Sequence, residues 1–227
     1  MNRLTLSIAA LAAKSDFGKT ELVGYYHNEG LYYVLSHIKG SRKANVSQIK
    51  HLIIEFFTTL PAGTFGKLSK REQKNLAKQV LEQINLDAIS GSFVWKSHPE
   101  LSRAANQSVS ALLKLVESFI EPDMNPAKGK AQLERWQKNL ERKTLSSKER
   151  TLLGSVGSIA RYSLAYWLLN EVSPNSPPEA QFKIRIGRVA ADIMGGAMGG
   201  LIGFGFGGPG GAVVGGMAGG HLASAAV

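Results

Sequence analysis

Cysteine is missing from this chain altogether. That removes disulfide frameworks, thiolate metal sites and thiol nucleophiles together, and leaves the redox compartment open. Charge is missing from one end: every Asp, Glu, Lys and Arg lies at or before Asp192, and residues 193–227 carry His221 as their sole titratable side chain. The recurrent catalytic patterns are missing as well. Gly203-Phe204-Gly205-Phe206-Gly207 has neither the strand before it nor the lysine after it that a phosphate-cradling loop needs. The histidines at 27, 37, 51, 98 and 221 stand at no metal-ligand spacing, so each reads as a surface residue or a satisfied core residue. Ser155 comes nearest to a nucleophile elbow, in Gly154-Ser155-Val156-Gly157, but lacks the G-x-S-x-G pattern and falls within a helical stretch. No catalytic, cofactor-binding or metal-binding residue is expected, and the reading is of a protein that is not an enzyme.

What is present divides into two regimes. Up to Asp192 the chain is basic: 27 Lys+Arg against 17 Asp+Glu give a formal charge of +10, which favours an anionic surface, either lipid headgroups or nucleic acid. A length of 227 residues suits one helical domain plus an appendage. The opening MNRLTLSIAALAA has a basic start, an apolar stretch and Ala10-Leu11-Ala12 in a cleavage-like arrangement. It is shorter than the roughly 15–30 residues of an export signal, so a first core helix without Sec-type export is expected, with a signal as the alternative.

Helical periodicity dominates the body. A helix is expected from about 29 to 39, after a Tyr25-Tyr26 stretch that also fits a hairpin. Ile49, Leu52, Ile53, Phe56, Phe57 and Leu60 define an amphipathic helix stopped by Pro61. Ser69 with Glu72 makes a capping box before Leu76, Val80, Leu81 and Ile84, and a loop over 86–98 follows. Pro99 suits the first turn of a helix running to Ile120. Leu133, Trp136 and Leu140 line a charged helix, and Ser146 to Glu149 repeats the capping box. The stretch from Thr151 to Leu169 has Arg161 as its only charge. It reaches the lower limit of a membrane span, but a central arginine costs about 2.5–3.5 kcal/mol on insertion scales, so a buried core helix is expected.

The proline- and serine-rich VSPNSPPE marks the boundary. The expected organisation is a helical body over 1–172, a linker over 173–182 and a helical hairpin over 183–227. Lys183, Arg185 and Arg188 form a basic entry suited to anionic headgroups. Then Gly195, Gly199, Gly203, Gly207, Gly211, Gly215 and Gly219 recur every fourth residue, with a partial second row at 196, 200, 216 and 220. On a helix this spacing makes a stripe without side chains, against which another backbone can pack closely. Glycine is about 1 kcal/mol worse than alanine in a helix in water, so something external must order the segment. Gly208, Pro209 and Gly210 interrupt the ladder at a turn, giving arms over about 184–206 and 211–227. Each large apolar residue of the arms contributes only about −0.3 to −0.6 kcal/mol to insertion. Residues 193–206 and 211–227 span about 21 Å and 26 Å, against a hydrocarbon core near 30 Å. Insertion is therefore marginal and depends on glycine packing.

The ladder over Ile193 to Val227 resembles the glycine-zipper segments of pore-forming antibacterial toxins, of the bacteriocin and secretion-system effector kinds. A helical body followed by an apolar hairpin is also similar in layout to the pore domain of colicins. Glycine-zipper envelope lipoproteins share the spacing but need a lipidated cysteine, which is absent. The resemblance implies an all-α protein, a helical bundle with a C-terminal glycine-zipper hairpin. It further implies a toxin soluble in the producing cell, secreted or delivered to a target membrane, that forms an ion-conducting pore or depolarises that membrane. Anionic lipids, further copies of the chain and a neutralising immunity protein are the implied partners. A structural protein oligomerising at an envelope or in a virion is the alternative. A basic nucleic-acid-binding module with a flexible tail ranks last, because it leaves the ladder unexplained.

Overall fold

The computed structural model describes residues 18–38, 45–89, 93–120, 126–169 and 178–226. Residues 1–13, read as a first helix or a signal, and the first half of the linker lie outside the described residues. Those described are all-helical, without strands. The α-helices are α1 (Gly18–Ile38), α2 (Val46–Thr59), α3 (Lys70–Gln83), α4 (Arg103–Glu117), α5 (Pro126–Glu141), α6 (Ser147–Leu169) and α7 (Pro178–Ala226).

Local chemistry sets several boundaries. Asn45 accepts a bond from the Gln48 amide at the start of α2. Ser69 and Glu72 complete the expected capping box at α3. Two expectations need correction. The helix expected from about 29 begins by Gly18, and no turn occurs at residues 27–30. Val23, Leu31 and Val34 share a buried face with His27 and Gly30, so the helical period extends through the tyrosines. The helix expected from Pro99 begins at Arg103, capped by Ser102. Asn106 explains the delay. Its Oδ1 accepts from Trp95 Nε1 and the His98 amide, each at 2.8 Å, and its Nδ2 donates to the carbonyls of His98 and Leu101. The segment before α4 is thereby wrapped around one side chain, and Pro99 sits in that wrap.

Thr151 to Leu169 behaves as the expected core helix. It lies within α6, and residues 152–160 are all buried. Ser155 donates to the Thr151 carbonyl one turn back at 2.8 Å, as an ordinary helical serine does. Helices α1, α5 and α7 all pack against α6. Gly157 gives Trp136 of α5 its seat, since a Cβ there would stand 2.6 Å from the indole ring. The α6 start is tied to α4 by Glu149: Oε1 accepts from the Ser102 amide at 2.7 Å, and Oε2 accepts from the amide and hydroxyl of Ser146 at 2.8 and 2.9 Å. Burial alone would raise this carboxyl, but the bonds from Ser102 and Ser146 outweigh it and hold it down at about 2.

Candidate functional site: the apolar arms and their buried polar cluster

Helix α7 consists of two helical arms merged across a kink. Gly207 (φ −142°, ψ 19°) and Gly208 (φ 58°, ψ −143°) leave helical geometry there, with Pro209 next. Proline fits immediately after the kink because a first helical turn needs no donor from it. The interruption is thus shorter than the glycine-proline stretch suggests, and helix resumes through Gly210 and Gly211. By length and composition, Lys183–Ala226 is apolar enough to cross a membrane; its most apolar window is mostly buried against the rest of the protein.

The two glycine rows face different neighbours. A Cβ built on Gly203 would overlap the carbonyl oxygen of Gly211, and the same holds for Gly199 with Gly215 and for Gly195 with Gly219. Each pairing is reciprocal, so the first row sets backbone against backbone along an antiparallel pair of arms. Gly207, the middle of the ladder, instead lies against Leu76 of α3, 3.1 Å from where its Cβ would be. Three of the four second-row glycines meet the body first, while a Cβ on Gly216 would lie nearest the Gly196 carbonyl oxygen of the first arm, at 3.3 Å. A Cβ on Gly196 would stand 2.9 Å from Ile159 Cδ1, one on Gly200 2.5 Å from Leu152 Cδ1, and one on Gly220 2.8 Å from His27 Nε2. At the turn, Gly208 is open around its Cα, Pro209 is exposed, and a Cβ on Gly210 would stand 3.3 Å from Leu68 Cγ. Lys148 stands over the Phe204 ring at 5.2 Å.

The basic entry is not uniform. Lys183 is exposed. Arg185 is half-buried and bonds Gln181 at 3.4 Å. Arg188 is half-buried, with its guanidinium 4.7 Å over the Trp167 ring. A guanidinium lying on an indole is already engaged by that face, so in this state only Lys183 of the three is fully presented to solvent.

Sequence reasoning passed over a cluster at the far end of the arms from the turn. His27 of α1, Asp192 of the first arm and His221 of the second are each 0% exposed. Nε2 of His27 stands 3.2 Å from Oδ1 of Asp192, at ion-pair distance but out of line for a hydrogen bond. The other carboxylate oxygen accepts from Ser163 Oγ and, at 3.0 Å, from Trp167 Nε1, both on α6. The two imidazoles stack with centroids 4.9 Å apart, and Phe56 of α2 closes the far side of His221 at 5.6 Å. Nε2 of His221 is 2.7 Å from the carbonyl oxygen of His27. A carbonyl only accepts, so the proton of neutral His221 sits on Nε2, and Nδ1 is left buried without a hydrogen-bond partner. One sequence signal pointed here: Asp192 is the last charge and His221 the last titratable group of an otherwise apolar segment, and such groups inside apolar helices find partners. Among the described residues no group of three His, Asp or Glu side chains is placed to hold a metal ion.

No protein-family model, curated protein or solved structure matches this chain. The class established is an all-helical protein with one long apolar C-terminal helix.

Proposed function

We propose that this protein is a membrane-inserting antibacterial toxin that stores its glycine-zipper hairpin, residues 183–226, inside a helical body and transfers it into a target bilayer. One observation carries the reading. The arms touch through reciprocal contacts of Gly195 with Gly219, Gly199 with Gly215 and Gly203 with Gly211, using backbone alone. Such a contact draws on van der Waals packing and needs neither water nor the body. It can therefore accompany the arms into lipid unchanged, while the second row exchanges Ile159 and Leu152 for acyl chains or for another copy. Self-association of the inserted hairpins would then build an ion-conducting pore or a leak. Anionic headgroups attract the +10 chain, and Lys183 anchors the entry. A producing cell that makes such a protein needs a neutralising partner, an immunity protein at its own membrane.

The test uses the absence of cysteine. Leu68 Cγ, near where the sulfur of a cysteine at position 68 would stand, is 3.3 Å from where a Cβ at position 210 would lie, so a Leu68→Cys, Gly210→Cys pair is placed to form a disulfide. Oxidised, the pair ties the turn to the α2–α3 loop; reduced, it frees the turn. Dye release from anionic vesicles should be lost in the oxidised protein and return on reduction. Equal release in both states, or none from the unsubstituted chain, overturns the reading.

A further inference from the structure

His27, Asp192 and His221 join three segments at one point: α1, the first arm and the second arm. Ser163 and Trp167 add α6 through the carboxylate. Through these contacts both arms are held to the body. We infer that this cluster is an acid-released latch, which holds the arms in the body while His221 is neutral and frees them when it is protonated.

The geometry gives the direction. A proton added to His221 goes to Nδ1, the nitrogen without a partner, and turns the ring into an imidazolium with a buried N–H that nothing accepts. Every charged or titratable group facing the pair makes this worse or fails to relieve it. From α1 comes His27 itself, stacked at 4.9 Å. From the first arm come Asp192, one oxygen of which accepts from Ser163 and Trp167 while the other lies 3.2 Å from His27 Nε2, and Arg188, a further cation. From α6 comes Tyr166, close to Asp192 and Arg188 and neutral at these pH values. From α2 comes Phe56, while the His51 and Glu55 pair of that helix points to solvent at 71% and 46% exposure. The added charge on His221 would thus lie in a site closed to solvent, with no acceptor for its new N–H. The released arms, by contrast, expose His221 to solvent, where it takes up a proton freely. The released state binds more protons, so the docked state loses ground as pH falls through the range in which free imidazole titrates, about 6.5.

The latch is measured without a membrane, in the full-length protein. Amide hydrogen exchange over 195–220, corrected for the intrinsic rate, should lose about tenfold or more of its protection between about pH 7.5 and about pH 5. His221→Gln keeps a donor for the His27 carbonyl and cannot titrate, so it should hold its protection across the range. His27→Gln leaves His221 able to titrate and should lose protection with acid as the unsubstituted chain does, and so should His51→Gln. Full protection of the unsubstituted chain at about pH 5 overturns the latch even if both core variants fail to fold. Parallel loss in His221→Gln also overturns it. The consequence for toxicity rests on the membrane reading, and vesicle leakage at the two pH values separates them. Protection lost with vesicles intact leaves the latch standing and removes the membrane reading; equal leakage with protection unchanged does the opposite.

Discussion

Gly208 and Gly187 both belong to α7 and ask opposite things of the backbone. At Gly208 φ is 58° with ψ −143°, a region essentially closed to residues with a Cβ. Its surroundings are open, so a Gly208→Ala change is penalised by the backbone alone, by about 1–3 kcal/mol. Gly187 is helical and also open, so Gly187→Ala should raise stability by up to about 1 kcal/mol. Chemical denaturation of the two variants should move the midpoint in opposite directions, and movement in the same direction would show that the kink is not fixed as described. The spacing of the glycines made the ladder legible in the sequence. Which of them carried the turn was not, because the proline at 209 centres the expected break on residues 208–210, whereas Gly207 and Gly208 leave helical geometry.

At the scale of the helices, the two glycine rows separate holding the arms together from holding them in the body. Gly199→Leu and Gly203→Leu drive side chains into the carbonyls of Gly215 and Gly211, which are backbone and cannot move aside. Gly196→Leu and Gly200→Leu meet the ends of Ile159 and Leu152, which can shift but not far. The first pair should abolish vesicle leakage. The second should weaken docking and raise leakage at the same lipid concentration, each by several-fold in dye-release assays. The same direction in both pairs would mean that the rows do not divide the work. Periodicity disclosed the amphipathic helices, and Ile49 to Leu60 is the plainest example. The start of α4 was hidden because Asn106, a polar residue on the buried face, organises the segment before it through bonds that no period records. The partners of Asp192 were hidden for the same reason: Ser163 and His27 lie far from it along the chain and meet it only once the arms have folded back.

For the molecule as a whole, acid should act twice, at separated pH. Glu149 joins the starts of α4 and α6 and is held down from 4.5 to about 2. A lowered carboxyl contributes its stability above the unfolded value and loses it as pH falls towards the folded one, so this contribution fades between about 4.5 and 2. Glu149→Gln should therefore lower stability at neutral pH and flatten the acid limb of a stability profile below about pH 4.5, as read by thermal melts across pH. An unchanged acid limb would place the acid sensitivity of the body elsewhere. Release of the arms, belonging to the His221 imidazole, should precede this loss on the way down, leaving a pH interval in which α4 and α6 stay joined while the arms are loose.

The backbone-to-backbone contact of the arms has one more property. A rung that recurs every fourth residue looks the same after a slide of one turn: Gly199 meets Gly219 as readily as Gly215, and Gly203 meets Gly215 as readily as Gly211. The arms thus carry no address of their own. Register comes from the tether at Gly207 and Gly208 and from the mooring at His27, and once the mooring is cast off, the arms of several copies are free to ratchet past one another in steps of four residues, so that one set of glycines can serve pores of more than one width.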